Sequence, residues 1–364
     1  MKIVLLSTHL TGSGHLVRTA ALARAGQAAG HRVMLLTGGM PLAHLPLDDL
    51  TVIQLPPLQV RDLDYATLRD GEGAPAQAAY LAARRDRIVA ALGDFAPDVL
   101  VTETYPLGRR ALRHEYRAAM AATGALCVAS VRDIPEPKPH RVAEAAAILR
   151  QDFGALLVHG TKAVLPLSAS WPFVGLDDMI RYTGYVAEGE MPAPIAGGVL
   201  VSVGGGTLGR ALLPMAASAA AASAAGSPLP WRILTGRRAD AGQDLPKSDN
   251  LIIEPARPDY RGLLAGAACS ISLSGYNTAV DLARCETPAI LVPMTDRGEQ
   301  EQLIRARHLA THEGIRCLTQ EQATPERLAS LARTLAGTRR PRLPLTLDGA
   351  ARSIAILEDL VRSR

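Results

Sequence analysis

CSISLSGYNTAVDLARCETPAILVPMTDRGEQEQLIRA, residues 269–306, reads as an apolar strand, a small-residue turn at Gly275, a helix carrying Asp281, a second apolar strand at 289–292, and a polar loop that ends in Glu301, Gln302 and Arg305. Successive strand and helix units of this kind belong to an open parallel sheet, where the turns after neighbouring strands converge on one edge. Ser274, Gly275, Tyr276, Asn277, Thr278 and Asp281 from the first turn, with Glu301 and Gln302 from the second loop, are expected to face one ligand. Its chemistry follows from the residue types. Gly275 lets backbone N–H groups approach closely, and the helix starting near Asn277 and Thr278 turns its positive end toward a phosphate. Asp281, one turn further in, can accept hydrogen bonds from a sugar diol. The plain alternative is a capped helix between two buried strands, with no ligand.

The segments SGYNTAVDL, PAILVPM and EQEQLIRA resemble the donor-binding half of family 28 glycosyltransferases, a group that includes the lipid II-forming N-acetylglucosaminyltransferases. Within it, GYNT and EQxxRA resemble a branch of predicted glycosyltransferases. The resemblance implies the GT-B architecture, an α/β fold of two Rossmann-like doubly wound parallel-sheet domains with an interdomain cleft. It also implies roles. Asp281 takes the place of the acidic residue that holds the nucleotide ribose, one methylene shorter than the usual Glu. Glu301 and Gln302 fall where two glutamines commonly hold the donor sugar.

Strands and helices alternate along the rest of the chain, which is the pattern of doubly wound sheets. Strands are expected at 2–7, 32–36, 51–55, 98–102, 126–131 and 155–159, and again at 199–203, 231–234, 251–253, 269–273, 289–292 and 315–318. Between the two series, residues 188–198 are rich in Pro and Gly and read as a hinge. The expected division is 1–187 for an acceptor domain and 188–348 for a donor domain, with a terminal helix at 349–364 packing back on the first. A chain of 364 residues has room for two such cores.

Charge is nearly balanced at +4, which favours neither nucleic acid nor a membrane as partner. No run approaches ~20 apolar residues, so membrane contact is expected to be peripheral at most. Strand one begins at Lys2 and leads into a Gly turn, unlike a signal peptide, and the four cysteines form no C-x-x-C pair. The expected setting is cytoplasmic, with reduced thiols.

The first turn supplies a second site. LLSTHLTGSGHLVR sets Gly12, Ser13, Gly14 and His15 between strand one and a helix, without the third glycine of a dinucleotide fingerprint. It resembles the acceptor-side glycine loop of family 28 enzymes, with His15 at their loop histidine. A histidine there can take a proton from an acceptor hydroxyl, or it can merely cap the helix. Glu103, at the end of the fourth strand, is expected to orient His15 or to act as base itself, while Arg132 and Asp133 either contact the acceptor or form an ion pair. Arg109, Arg113 and Arg117 recur every fourth residue and are expected along one helical face, as an anion grip or a solvated surface.

In the second half VLVSVGGGTLGR repeats the strand, glycine and helix device, making Gly205, Gly206, Thr207 and Arg210 candidates for diphosphate contact. EPARPDY, with Arg257, stands where related enzymes receive the nucleotide base. There is no D-x-D turn and no histidine ligand spacing, so no metal and no cofactor beyond a nucleotide-sugar co-substrate is expected, and the charge of a leaving diphosphate is expected to fall to helix N-termini, loop amides and Arg210 or Arg305. The family resemblance implies an inverting transferase that moves a sugar from a nucleotide-sugar, UDP-linked by the family's habit, to an acceptor not legible in the sequence. GSGHLVR also resembles UDP-sugar hydrolases of the same fold. That alternative stands open, as do a 2-epimerase and a nucleotide-sugar-binding protein without catalysis.

Overall fold

The structure is a computed structural model that describes the whole chain except residues 44, 62–63, 204–207, 225–228, 237–241, 243 and 296–297 and the side chains of 208 and 210. The chain divides into two compact units, Met1–Glu188 with Thr346–Arg364, and Gly189–Leu345.

The first unit is built on a parallel sheet of seven strands: β1 (Lys2–Ser7), β2 (Arg32–Gly39), β3 (Thr51–Leu58), β4 (Val99–Glu103), β5 (Leu126–Arg132), β6 (Ala155–His159) and β7 (Ile180–Tyr182). Their order across the sheet is β3-β2-β1-β4-β5-β6-β7. Helices α1 (Gly14–Ala28), α2 (Ala78–Phe95), α3 (Arg113–Ala121) and α4 (Val142–Asp152) fill the crossovers. Both faces of the sheet are covered, which is why the strands read as unbroken apolar runs. Side chains alternate across the sheet: Val4, Leu6, Met34 and Leu36 join one buried cluster with Ile88 and Tyr116, and Ile3, Leu5, Val33 and Leu35 join another with Leu16 and Leu22.

Repeating the plan, the second unit has β8 (Gly197–Ser202), β9 (Trp231–Leu234), β10 (Leu251–Glu254), β11 (Ala267–Ser272), β12 (Ala289–Leu291) and β13 (Ile315–Cys317), in the order β10-β9-β8-β11-β12-β13. Its helices are α5 (Leu212–Ala222), α6 (Tyr260–Gly266), α7 (Tyr276–Ala283), α8 (Glu301–Leu309) and α9 (Pro325–Leu335). Alanines at 216, 217, 219 and 220 are fully buried, and their small side chains let α5 lie close to the sheet and to α9. The chain then returns to the first unit as α10 (Gly349–Arg362), whose Ile354 and Leu357 are buried in the cluster around α1. Close approach is required there: a methyl group at Gly26 of α1 would stand 2.8 Å from Val33 Cγ2 and 3.5 Å from Ile354 Cδ1.

All twelve expected strands are present. Edge strand β7 was not anticipated. Three half-buried residues, Ile180, Arg181 and Tyr182, carry no legible alternation, and only the exposed edge of β6 gives them a partner. In both sheets the order reverses at the first strand of the unit, between β1 and β4 and between β8 and β11. At such a switch point the loops after the two strands diverge and leave a crevice for a ligand.

Candidate functional site

In the first unit the switch point is occupied by His15 and Glu103. Strand β1 pairs with β4 through Leu6 and Thr102, so the turn after β1 lies beside Glu103 at the end of β4. α1 opens at Gly14 with no side-chain cap at Ser13 and no acidic residue in its first turn, so its leading amides remain for a ligand or water. Gly12 has φ of +62°, the left-handed conformation that glycine adopts most readily. His15 and Arg18, three residues apart on α1, share one face. Both reach the same carboxylate oxygen: His15 Nδ1 lies 2.7 Å from Glu103 Oε1, and Arg18 Nη2 donates to that atom as well.

The electrostatics follow from burial. The side chain of His15 is 17% exposed against 3% for Glu103 and 4% for Arg18. Burial pushes the His15 pKa down to about 4, and the attraction of Glu103 only partly opposes this because Arg109 and Arg18 counter it. The imidazole is therefore neutral near neutrality, its Nδ1–H donating to Glu103 and its Nε2 keeping a lone pair. Burial alone would raise Glu103, but His15, Arg18 and Arg109 outweigh it and hold the carboxyl well below its usual range. Glu103 is thus an ionised carboxylate set against the His15 ring. The loop that follows is strained. Thr104 has φ of +70° and Arg109 φ of +57°, and a β-branched residue in that region is a true outlier of the kind that gathers at functional sites.

Other expectations for this unit change in three dimensions. Asp133 is fully buried, accepting from its neighbour's Ile134 amide at 2.8 Å and from the Tyr185 hydroxyl at 2.8 Å, so it is part of the core and not a group presented to an acceptor. Arg132 closes β5, half-buried. Nor do the three arginines share one helical face. Arg109 lies before α3 in the left-handed region and donates from Nε to Thr8 O at 2.7 Å, while Arg113 and Arg117 belong to α3. Sequence reasoning overlooked Arg18 and His159. The i,i+3 spacing from His15 could have signalled Arg18; His159, held by Ser130 Oγ at 2.7 Å and Thr183 Oγ1 at 2.9 Å, has no such local mark.

Burial lowers the pKa of His159 to about 3. Between those folded values and the unfolded 6.5, the unfolded chain binds protons at His15 and His159 that the folded chain refuses. Stability therefore falls as pH drops from 6.5 toward 4, by at most about 1.4 kcal/mol per pH unit for each histidine. Urea midpoints of the first unit, taken from about pH 7.5 to about pH 5.5, are expected to decline accordingly, and a His159→Gln variant is expected to show a shallower decline.

In the second unit the loops after β11 and β12 meet. α7 begins after Gly275, again with neither a side-chain cap nor an acidic first turn. Gly275 has an ordinary φ of −73°, and a methyl group there would find only Thr278 Oγ1, at 3.8 Å, so the fold itself does not demand glycine. Glycine suits this N-cap position, and its lack of a side chain leaves the turn open to close approach. Ser274 is buried, Tyr276 is buried, Thr278 is half-buried and Asn277 is exposed at the helix start. Asp281, mostly buried, accepts from Arg261 Nε at 2.9 Å; burial raises its pKa and Arg261 opposes that rise.

Gln302 and Glu301 do different work. Gln302 Oε1 accepts from the amides of Ser274 at 3.3 Å and Met294 at 3.4 Å, tying the two loops together. Glu301 pairs with Arg305 at 3.0 Å, and Arg305, with no exposure, donates to Ser274 O at 2.8 Å. Arg305 is accordingly a strut beneath the turn, not a free counter-charge for a leaving diphosphate. Arg257 is clamped by Asp259 at 2.6 Å and Glu254 at 3.3 Å in the loop after β10. Gly205, Gly206 and Thr207, and the side chain of Arg210, lie outside the described residues. Among the described residues no cluster of His, Cys, Asp or Glu is placed to hold a metal ion, and no helix is long and apolar enough to cross a membrane.

Residues 200–342 match the model of the glycosyltransferase family 28 C-terminal domain. The chain has the GT-B fold, and this stretch of it is similar to the family 28 C-terminal domain. All the second-unit candidates, from Gly205 to Gln302, fall inside the matched stretch; His15 and Glu103 fall outside it. Over 104 residues the chain is 34% identical to a UDP-N-acetylglucosamine--N-acetylmuramyl-(pentapeptide) pyrophosphoryl-undecaprenol N-acetylglucosamine transferase from Syntrophotalea carbinolica, covering 29% of this chain and 28% of that one. The match thus spans little more than a quarter of the relative. Among solved structures, MurG of Acinetobacter baumannii superposes with a TM-score of 0.63 at 16% identity, over 99% of this chain and 100% of that one. The calicheamicin glycosyltransferase CalG4 gives 0.61 at 17% identity, over 99% and 94%. At such identities the likeness is one of fold.

Proposed function

We propose that the chain is an inverting, metal-independent glycosyltransferase that takes a UDP-linked sugar on the family 28 domain and passes it to an acceptor bound by the first unit. The observation that carries this reading is the 2.7 Å contact that sets His15 against Glu103 at a switch point, in a chain whose other unit matches the family 28 C-terminal domain. His15 Nε2 takes the proton of an acceptor hydroxyl, whose oxygen then bonds to the anomeric carbon. The bond from that carbon to the nucleoside diphosphate breaks, and the diphosphate leaves with the electron pair. Charge on the leaving group is met by the uncapped amides at the start of α7. Asp281 receives the ribose hydroxyls, and Gln302 keeps the two donor loops in register. The setting is cytoplasmic, with membrane contact no more than peripheral.

The test is release of nucleoside diphosphate from UDP-, GDP- and dTDP-sugars, with and without EDTA, in water and with cell extract as acceptor source. Transfer predicts release from a UDP-sugar that is indifferent to EDTA and depends on extract. Rapid release in water alone would replace this reading with the hydrolase, and binding with no release under any condition would replace it with a non-catalytic binder.

Asp281→Asn is expected to weaken UDP binding about 10- to 100-fold, the worth of a charge-assisted hydrogen bond. Calorimetry with UDP and with its 2′,3′-dideoxy analogue checks the assignment. Wild type should discriminate between the two ligands and the variant should not; equal discrimination by both proteins would remove Asp281 from the ribose.

A further inference from the structure

Tyr105, Pro106, Arg110, Arg113, Arg117, Arg141, Glu144, Ala145 and Ile148 line a pocket of about 240 Å³ in the first unit. It opens between the first turns of α3 and α4, and no role in the proposed transfer uses it. Four arginines against one glutamate leave a net charge of +3 on its walls. Arg110 and Glu144 pair with each other. Arg113 and Arg117, one turn apart and both exposed, point the same way from α3.

The fold does not explain this arrangement. Arg110 and Arg113 sit at the start of α3 and Arg141 at the start of α4, the positive ends of both helices, where cations are disfavoured. Mutual repulsion among the four adds to that cost. A second observation points into the same pocket. Tyr105 is 2% exposed, stacked on Tyr116 with ring centroids 4.7 Å apart, and its hydroxyl makes no hydrogen bond of ordinary geometry among the described residues. Burial raises its pKa while Arg117, whose guanidinium reaches toward the hydroxyl oxygen, opposes the rise, so the phenol keeps its proton to donate beside guanidinium groups. Arginine forks and a buried O–H donor, with apolar walls from Pro106, Ala145 and Ile148, are what a compact oxyanion of two or more charges requires.

We propose that this pocket binds a phosphate-class anion, a phosphate monoester or diphosphate group, at a site separate from the sugar-donor site of the second unit. Arg113, Arg117 and Arg141 supply the forks, and Tyr105 donates its hydroxyl. The ligand neutralises the charge gathered at the two helix starts and so stabilises the first unit. The proposal holds whether or not the chain transfers sugar.

The probes are inorganic pyrophosphate at constant ionic strength, and vesicles of phosphatidylcholine with or without phosphatidic acid. The variants are Arg113→Gln/Arg117→Gln, Tyr105→Phe, and a control with the same loss of charge on the exposed face of α9, Arg327→Gln/Arg333→Gln. Pyrophosphate is expected to raise the unfolding temperature of the first unit in wild type and control. In Arg113→Gln/Arg117→Gln binding should fall at least tenfold while UDP binding is unchanged, and the unliganded variant should be as stable as wild type or more so. Tyr105→Phe should weaken pyrophosphate binding severalfold. Binding of the soluble anion identifies a free ligand; binding only to phosphatidic acid vesicles, lost in the same variant, identifies a lipid headgroup. If neither probe binds wild type, or if the Arg113/Arg117 variant and the α9 control lose binding equally, the site is not there.

Discussion

Replacing His15 by alanine is expected to slow sugar transfer by about 10²–10⁴-fold, the usual contribution of a positioned general base, with little change in affinity for the donor. The side chain stands at the switch point, partly exposed and held against a carboxylate, with its pKa pushed down by burial. Added imidazole should restore part of the rate, because the void left by the ring has the shape of the missing base. Arg18→Met provides a finer check. Arg18 shares Glu103 Oε1 with His15 and lowers the His15 pKa, so its removal leaves the carboxylate to the imidazole alone and should raise that pKa. The acidic limb of the pH–rate profile then moves to higher pH. A limb that stays in place, together with full transfer by His15→Ala, would show that the proton goes elsewhere.

Glu115→Ala is expected to destabilise the first unit by about 3–5 kcal/mol, because it strands a buried cation. Arg84 of α2 has no exposure. Its Nε and Nη2 reach Glu115 of α3 at 2.8 and 3.0 Å, and Nη1 reaches Gly38 O at 3.1 Å and also Pro56 O. One guanidinium thereby ties two helices to the ends of β2 and β3. At about 2–4 °C per kcal/mol for a unit of this size, the melting midpoint should fall by roughly 6–20 °C. The double replacement Arg84→Met with Glu115→Leu should recover most of that loss, since removing both charges also removes the desolvation cost. If the single and double variants melt together, the damage comes from lost packing and not from a stranded charge.

Twelve strands, the repeated strand and helix plan and the glycine turns at Gly12 and Gly275 could be read directly from the chain. Strands covered on both faces must be apolar throughout, and turns that approach a ligand must be small, so each leaves a mark within a few consecutive residues. His15 with Glu103, and Ser274 to Asp281 with Gln302, were legible for the same reason: each stands immediately after a strand. Which groups pair across the fold left no such mark. Asp133 reads as a strand-end acid like Glu103, yet Tyr185, 52 residues further on, closes over it. Arg305 reads as a free cation until the carbonyl of Ser274 is found beneath it. The spacing of Arg109, Arg113 and Arg117 promised one helical face, and a left-handed residue before α3 divided it. Local chemistry and periodicity by themselves determined the two sheets and where their loops gather. Burial and long-range partners decided whether each charged side chain at those loops is presented to a ligand or consumed in holding the fold, because a buried charge must find its counterpart wherever the topology places one.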